Sequence, residues 1–313
     1  MSSALLLITA WLLDGIIAEP RRGHPLCQFG NLAEGLEQRL NQPHLSPKRR
    51  RLLGASALVM LTIPAVLLTA WLSSMAYGWL LELLILFLCL GAHSLREHAL
   101  AVVRALRQAR HDNDLGPARA AVSCLVSRDT NSLGREGVAA ATTESVLENG
   151  NDALFATLFW FAIAGAPGAL LHRLVNTLDA MWGYRDQRFA DFGWAAARTD
   201  DLLGWLPARL TALTYALLGG RPLTTLRQAR RQARHWPGIN PGIVLACGAL
   251  ALRIRLGGPT PYPAGERLRP WLGVSSRGAD EASIQAAWRL LRRGAWLWLG
   301  AILSLAIASL YIY

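Results

Sequence analysis

The chain has 313 residues, of which 52% are apolar and 17% are charged, whereas roughly 25% are charged in a typical soluble protein. A mean hydropathy of +0.26 and long uncharged runs exclude intrinsic disorder and an ordinary soluble enzyme. The net charge is +11, and Lys48 is the one lysine among 32 basic residues. Basic loops beside membrane helices explain such a charge. No DNA-binding motif accompanies it, so nucleic acid is not an expected partner.

Apolar runs along the chain predict an all-α fold, a polytopic membrane helical bundle forming a single integral-membrane domain over residues 1–313. A membrane-spanning helix needs about 20 mostly apolar residues. Four runs predict membrane helices: 4–18, 52–72, 77–92 and 295–313. Three weaker runs could span, re-enter or lie buried: 153–171, 202–219 and 239–252.

The distribution of basic residues predicts the orientation in the membrane. Residues 20–51 carry seven Arg and Lys residues, which favours the cytoplasmic side. After the predicted hairpin the chain returns to the same side, so segment 93–152 is expected there. Segment 172–201 lies on that side too if 153–171 dips into the membrane, and on the opposite side if 153–171 spans it. We expect the first arrangement, in which helices and loops of 93–152 and 172–201 carry the site.

Ten of the 21 acidic residues fall within residues 129–201. Glu144, Glu148 and Asp152 are spaced i, i+4 and i+8, so a helix would place them on one face, where like charges repel. Salt bridges to arginines would offset this repulsion, and so would a divalent metal bound together with phosphate. Carboxylate oxygens are ligands that magnesium prefers. The amide of Asn149 lies beside these acids.

Other polar patches follow the acidic segment, and each has a structural alternative. Arg128 and Asp129 form a patch that is also typical of a turn or helix cap. The patch Arg198, Asp200 and Asp201 precedes an apolar run and could cap a helix. Gly257 and Gly258 form a turn that could approach a phosphate or be an ordinary loop. The densest patch runs from 176 to 185 and holds Asn176, Thr177, Asp179, Tyr184 and Arg185.

The order of these patches is itself a pattern that covers nearly the whole chain. It comprises Leu13-Asp14, Glu19-Pro20, His24-Pro25, Arg128-Asp129-Thr130, Glu144 to Asn149, Val175 to Asp179 with Met181 and Gly183-Tyr184, Ala197-Arg198, Asp200-Asp201, Leu206 to Leu210, and Leu256 to Pro259. The pattern resembles the adenosylcobinamide-phosphate synthase family of cobalamin biosynthesis, the CobD/CbiB type. Thr260 stands where that family usually has Asn.

The resemblance implies an ATP-dependent ligase in the bacterial inner (cell) membrane, multi-pass, with its site facing the cytoplasm. It would join adenosylcobyric acid, a corrinoid, to aminopropanol or its phosphate, and other cobalamin-assembly proteins are conceivable partners beside the lipid bilayer. Magnesium is the implied cofactor, held by Glu144, Glu148, Asp152 and Asp179. The implied catalytic residues are Asp179, Glu144, Glu148 and Asp201. The implied substrate and phosphate contacts are Arg128, Asp129, Asn149, Arg173, Asn176, Thr177, Tyr184, Arg185, Arg198, Asp200, Gly257 and Gly258.

Two other classes of protein fit the same composition. A transporter places charges and broken helices near the middle of the bilayer, whereas most acids here lie between the apolar runs and only Asp14 and Glu82 fall within predicted spans. A membrane assembly or sensor protein without catalytic activity is the third interpretation. Turnover of ATP with a corrinoid acid and an amine would separate the three.

Overall fold

The computed structural model describes residues 2–17, 23–262, 265–274 and 276–310. Some residues given above lie outside this part of the chain: Glu19, Pro20, the first residues of segment 20–51, and the ends of the predicted helices 4–18 and 295–313. The helices are α1 (Ser3–Ile16), α2 (Pro25–Leu40), α3 (Pro47–Ser73), α4 (Gly78–Cys89), α5 (Ala92–Asp112), α6 (Gly116–Ser123), α7 (Arg135–Gly150), α8 (Ala156–Trp182), α9 (Trp194–Leu203), α10 (Trp205–Leu218), α11 (Pro222–Ala233), α12 (Ile239–Leu252) and α13 (Glu281–Leu310). A π-helical turn, Asn151–Phe155, joins α7 to α8, and the short strands are β1 (Leu256–Gly257), β2 (Thr260–Tyr262), β3 (Gly265–Arg267) and β4 (Trp271–Leu272).

Within the described residues, four helical stretches are long and apolar enough to cross a membrane: Pro47–Ser73, Gly78–Asp112, Arg135–Trp182 and Glu281–Leu310. The predicted all-α polytopic membrane fold is confirmed. The predicted run 4–18 forms α1, whose 14 residues are fewer than the about 20 that a span needs. The weak run 153–171 continues into α8, where Ala164 and Gly165 leave helical geometry.

Contacts divide the chain into two compact units. Unit 1 comprises Met1–Gly91, Ala156–Gly204 and Ile302–Tyr313, and unit 2 comprises Ala92–Phe155 and Trp205–Ala301. Each unit combines segments that are distant in sequence, because helix packing rather than chain order decides which apolar faces meet.

Unit 1 contains α1 to α4, α8 and α9. Its core joins Leu58 of α3 and Leu178 of α8 to Phe192 in the loop before α9. The rings of Trp182 and Phe192 pack edge to face with centroids 5.1 Å apart, a favourable aromatic geometry. This core fixes the C-terminal end of α8, which carries the Asn176 patch.

Unit 2 contains α5 to α7, α10 to α12, the strands and the first part of α13. β1 pairs antiparallel with β4, and β2 with β3, so the chain after α12 folds into two small hairpin-like pairs. Glu281, at the start of α13, accepts hydrogen bonds from Arg110 of α5 (2.8 Å) and Arg135 of α7 (2.9 Å). This buried carboxylate ties three helices together.

Candidate functional site

Glu144 of α7 is the centre of a buried ion cluster in unit 2. Its side chain is 3% exposed and accepts a hydrogen bond from Arg128 Nη2 (2.6 Å) and one from Arg269 Nη2 (3.1 Å). The backbone N–H of Gly257 donates to its other oxygen at 2.8 Å. Two guanidinium groups and one amide therefore satisfy Glu144. The sequence left open whether salt bridges to arginines or a bound metal offset the repulsion between these acids. At Glu144 the structure shows salt bridges to arginines.

The glycine turn after β1 is shaped to reach this cluster. Gly257 and Gly258 have φ of +81° and +78°, a region that favours glycine. Thr260 donates from its hydroxyl to the Gly258 carbonyl (3.0 Å) and accepts from Arg269 Nε (2.9 Å). The Arg269 guanidinium also lies 4.8 Å from the centroid of the Trp236 ring. The turn and Arg269 thus form one positively charged wall.

Two carboxylates follow Glu144 in the chain, Glu148 near the end of α7 and Asp152 in the π-helical turn. α7 ends at Gly150, and the π-helical turn begins at Asn151, so the α-helical spacing that related Glu144 to Glu148 is not continued to Asp152. Such turns occur frequently at functional sites. Asn151 donates to Asp152 at 2.8 Å, and Asn149 donates to Ser145 Oγ at 2.8 Å.

No group of three His, Cys, Asp or Glu side chains in the described ranges is arranged to hold a metal ion. Magnesium usually takes one or two carboxylates and completes its shell with water and substrate phosphates. Glu148 and Asp152 would supply two carboxylates to that partial donor set. Asp129, also of unit 2, accepts a hydrogen bond from the N–H of Asn131 (2.9 Å). This contact is typical of a turn, the structural role that the sequence offered for Asp129 beside a substrate contact.

A second polar cluster lies in unit 1, on α8 and α9. Arg173 Nη1 donates to Asn176 Oδ1 at 3.4 Å, and Asn176 Nδ2 donates to Asp200 Oδ1 at 3.3 Å. Thr177 donates to the carbonyl oxygen of Arg173 (2.9 Å), so its hydroxyl serves the helix backbone. The structure therefore joins two predicted patches, 176–185 and 198–201, through Asn176 and Asp200.

His24 lies near Arg173 of this second cluster. Burial and the nearby Arg173 guanidinium lower the pKa of His24 below its usual value. Its ring nitrogen Nδ1 accepts the N–H of Leu26 (3.2 Å) and caps α2. His24, one of the residues that carry the family resemblance, is thus the N-cap of α2.

The remaining predicted residues of unit 1 lie near the end of α8, in the loop that follows it, and on α9. Asp179 is half-buried, and its carbonyl oxygen accepts the N–H of Gly183 at 2.7 Å. A Cβ at Gly183 would collide with the Asp179 side chain, so glycine leaves that carboxylate room. Tyr184, Arg185 and Arg198 are exposed, while Asp201 is half-buried.

Sequence reasoning missed the residues that anchor these clusters. Arg269 lies 125 residues from Glu144, in an irregular segment with no periodic pattern. Glu37 is buried and binds Arg188 through two hydrogen bonds of 3.1 and 2.6 Å, which fixes the loop after Tyr184. The available signal for Glu37 was an acid four residues after Ala33 and three before Leu40, on the apolar face of α2, because buried charges are normally paired.

Comparison with known proteins identifies the family. A model of the CobD/Cbib protein family matches residues 7–291. The cobalamin biosynthesis protein CobD of Stutzerimonas stutzeri is 52% identical over 305 residues, covering 97% of this chain and 98% of that protein. The proteins of the same name from Chromobacterium violaceum and Mycobacterium tuberculosis are 50% identical over 317 residues (99% of this chain, 98% of that protein) and 36% identical over 293 residues (91% and 90%). No solved structure matches. The chain belongs to the CobD/Cbib protein family.

Proposed function

We propose that this chain is an ATP-dependent amide-forming ligase of cobalamin biosynthesis. It joins the propionate carboxylate of adenosylcobyric acid to aminopropanol or its phosphate, giving adenosylcobinamide or adenosylcobinamide phosphate. The observation that carries the proposal is the family match over residues 7–291, with relatives named cobalamin biosynthesis proteins. The four membrane-length helices favour a multi-pass protein of the bacterial inner membrane, with the site facing the cytoplasm, where ATP is found.

The chemistry needs an activated carboxylate, because a carboxylate at neutral pH is a poor acyl donor. Its oxygen attacks the γ-phosphorus of ATP and releases ADP, which leaves an acyl phosphate. The amine nitrogen then attacks the acyl carbon, and the C–O bond breaks with its electron pair leaving on inorganic phosphate. The ammonium proton passes to a carboxylate, and Asp179 and Asp201 are the candidates. Both steps concentrate negative charge that arginines can stabilise.

Both units carry residues suited to bind phosphate. In unit 2, Arg128 and Arg269 share a single carboxylate, so their cluster keeps positive charge for a phosphate. Glu148 and Asp152 would hold magnesium, which when bound neutralises phosphate charge. In unit 1, Arg185 and Arg198 are exposed guanidinium groups suited to bind phosphate, and Asn176 and Asp200 present an amide and a carboxylate for polar substrate groups.

The test is Asp179→Asn, compared with wild type in membranes supplied with ATP, the corrinoid acid and the amine. Asn keeps the size of the side chain but removes the charge, so product formation should fall at least about a hundredfold, as expected for a lost electrostatic stabiliser. Asp191→Asn is the control from the same unit, since it breaks an ion pair with Arg51, whose side chain is 54% exposed. Loss of a surface pair costs about 0–1 kcal/mol and should leave turnover unchanged.

The same preparation separates the rival functions. Amide formation without ATP would contradict the ligase proposal, as would a less than about fivefold loss in Asp179→Asn when folded protein is compared at equal amounts. Uptake of the corrinoid into sealed vesicles without amide formation would indicate a transporter. ATP consumption and product both absent from folded wild-type protein would indicate a non-catalytic assembly or sensor protein.

A further inference from the structure

A cavity of about 260 Å³ lies in unit 2 between α5 and α13, away from the Glu144 cluster. Its walls carry three arginines, Arg96 of α5 with Arg289 and Arg292 of α13. Leu100 and Trp288 add apolar surface between them. None of these residues belongs to the sites described above, and the proposed ligase chemistry does not use them.

None of the residues that line this cavity is acidic. Arg96, Arg289 and Arg292 form no hydrogen bond or ion pair with any residue in the described part of the chain. The acid nearest in sequence to the α13 arginines is Glu281, and Arg110 and Arg135 already bind it. Three guanidinium groups around one space repel each other, and an anion in the cavity would offset that repulsion.

The cavity lies at the level where the apolar part of α13 begins. The Arg110–Glu281 pair (2.8 Å) joins the end of α5 to the start of α13, and the cavity is lined by residues 96–100 and 284–292, so the two helices run in opposite directions. From this pair, Arg96 is about 21 Å along α5 and Arg292 about 17 Å along α13 at 1.5 Å per residue, so both arginines reach nearly the same level. Residues 294–310 of α13, after Arg292, contain no Asp, Glu, Lys or Arg, and only residues 92–95 of α5 precede Arg96.

Such a level corresponds to the interface between hydrocarbon and headgroups. Tryptophan is enriched there because its ring is apolar and its N–H is polar, and Trp288 is half-buried in the cavity wall. Basic pockets between membrane helices bind the headgroups of anionic lipids. Arginine forks match phosphate oxygens in geometry and charge.

We propose that this cavity binds the phosphate headgroup of an anionic phospholipid, such as phosphatidylglycerol, from the adjoining leaflet. Pockets for drug-sized ligands span roughly 300–1,000 Å³, so a cavity of about 260 Å³ admits a headgroup but not a whole lipid. The acyl chains then lie outside, along the uncharged part of α13.

The test measures lipid retained by the full chain after transfer from phosphatidylglycerol–phosphatidylcholine bilayers into detergent, by native mass spectrometry. The variant carries Arg96→Gln, Arg289→Gln and Arg292→Gln together, and the control is Arg293→Gln. Arg293 is an exposed neighbour that does not line the cavity. We expect wild type and control to retain phosphatidylglycerol, and the triple variant to retain at least fivefold less of it than wild type. Arg96→Gln alone, should the triple variant misfold, is expected to lose about half.

Two further arms distinguish the source of the phosphate. Inorganic phosphate at millimolar concentration should leave the lipid adduct in place, because the acyl chains add binding that free phosphate lacks. Equal retention of phosphatidylglycerol and phosphatidylcholine by wild type would overturn the proposal. So would equal retention by wild type and the triple variant, or displacement of the lipid by inorganic phosphate, which would identify a site for free phosphate.

Discussion

Glu144 and Glu136 are two glutamates of α7 that are both paired with arginine and differ in exposure. The Glu144 side chain is 3% exposed and that of Glu136 is 59% exposed. Glu144→Gln removes one charge and leaves Arg128 and Arg269 in a buried site, so the free energy of unfolding should fall by about 3 kcal/mol. Glu136→Gln, whose pair with Arg255 is 3.5 Å long and exposed, should cost less than about 1 kcal/mol.

Denaturant or thermal unfolding of both variants in the same detergent measures this difference. Similar losses in the two variants would mean that the Glu144 cluster contributes no more than a surface pair. The amide-forming activity of Glu144→Gln has to be compared at equal amounts of folded protein, because lost stability alone would lower it.

The residues of the unit 2 cluster show what a sequence can and cannot predict at this scale. Helical periodicity placed Glu144 and Glu148 on one face because both lie in one α-helix, and it could not choose between metal and arginine as the partner. That choice depends on Arg269, which reaches Glu144 through the tertiary fold. Asp129 accepts the N–H of Asn131, two residues away, as in a turn. That role was predictable from its neighbours, because the interaction is local.

The glycine turn is the element whose conformation can be tested most directly. Gly257 and Gly220 both have positive φ, +81° and +83°. A Cβ at Gly257 would collide with the Pro270 carbonyl oxygen, whereas a Cβ at Gly220 would meet no atom within 4 Å. Gly220→Ala should therefore cost about 1 kcal/mol through its backbone conformation alone.

Gly257→Ala should be more destabilising, because the turn must also move away from Glu144. Product formation should fall at least about tenfold, equivalent to 1.4 kcal/mol of the barrier, while Gly220→Ala keeps wild-type turnover. Parallel activity and unfolding measurements on the two variants check this. Equal behaviour of the two would mean that the turn contributes nothing beyond its backbone geometry.

Long apolar elements were predictable, and short polar ones were not. The run 239–252 coincides with α12 (Ile239–Leu252), and the run 52–72 lies within α3, because hydrophobic length dominates both. β1 and β4 have two residues each, too few for an alternating pattern. The π-helical turn has no distinct composition, since the chain remains helical through it.

At the scale of the whole molecule, the two units could not be read from the order of the apolar runs. Unit 1 takes its helices from three separate parts of the chain and unit 2 from two. Hydropathy identifies which faces are apolar but not which partner covers each face. For the orientation in the membrane, contacts within unit 1 combined with the charge rule give an expectation that labelling can test.

The loop after Tyr184 lies at the N-terminal end of α3. Arg50 donates to the carbonyl oxygen of Gln187 (3.3 Å), and Arg51 Nε donates to Asp191 at 2.9 Å. Both arginines are in the first turns of α3, which begins at Pro47. Since basic residues beside a membrane helix favour the cytoplasmic side, the loop should face the cytoplasm, as expected for segment 172–201.

A cysteine at Gln187 tests this orientation. In a background with Cys27→Ser and Cys124→Ser, the two exposed natural cysteines, Gln187→Cys should react with a membrane-impermeant maleimide from the cytoplasmic side. Ser74→Cys is the matched control, because it lies just beyond the other end of the 27-residue α3, about 40 Å away, and should react from the opposite side. Labelling of both cysteines from one side would show that α3 does not span the membrane. Exchange of the two sides would place the Tyr184 loop away from cytoplasmic ATP and remove its proposed role in phosphate binding.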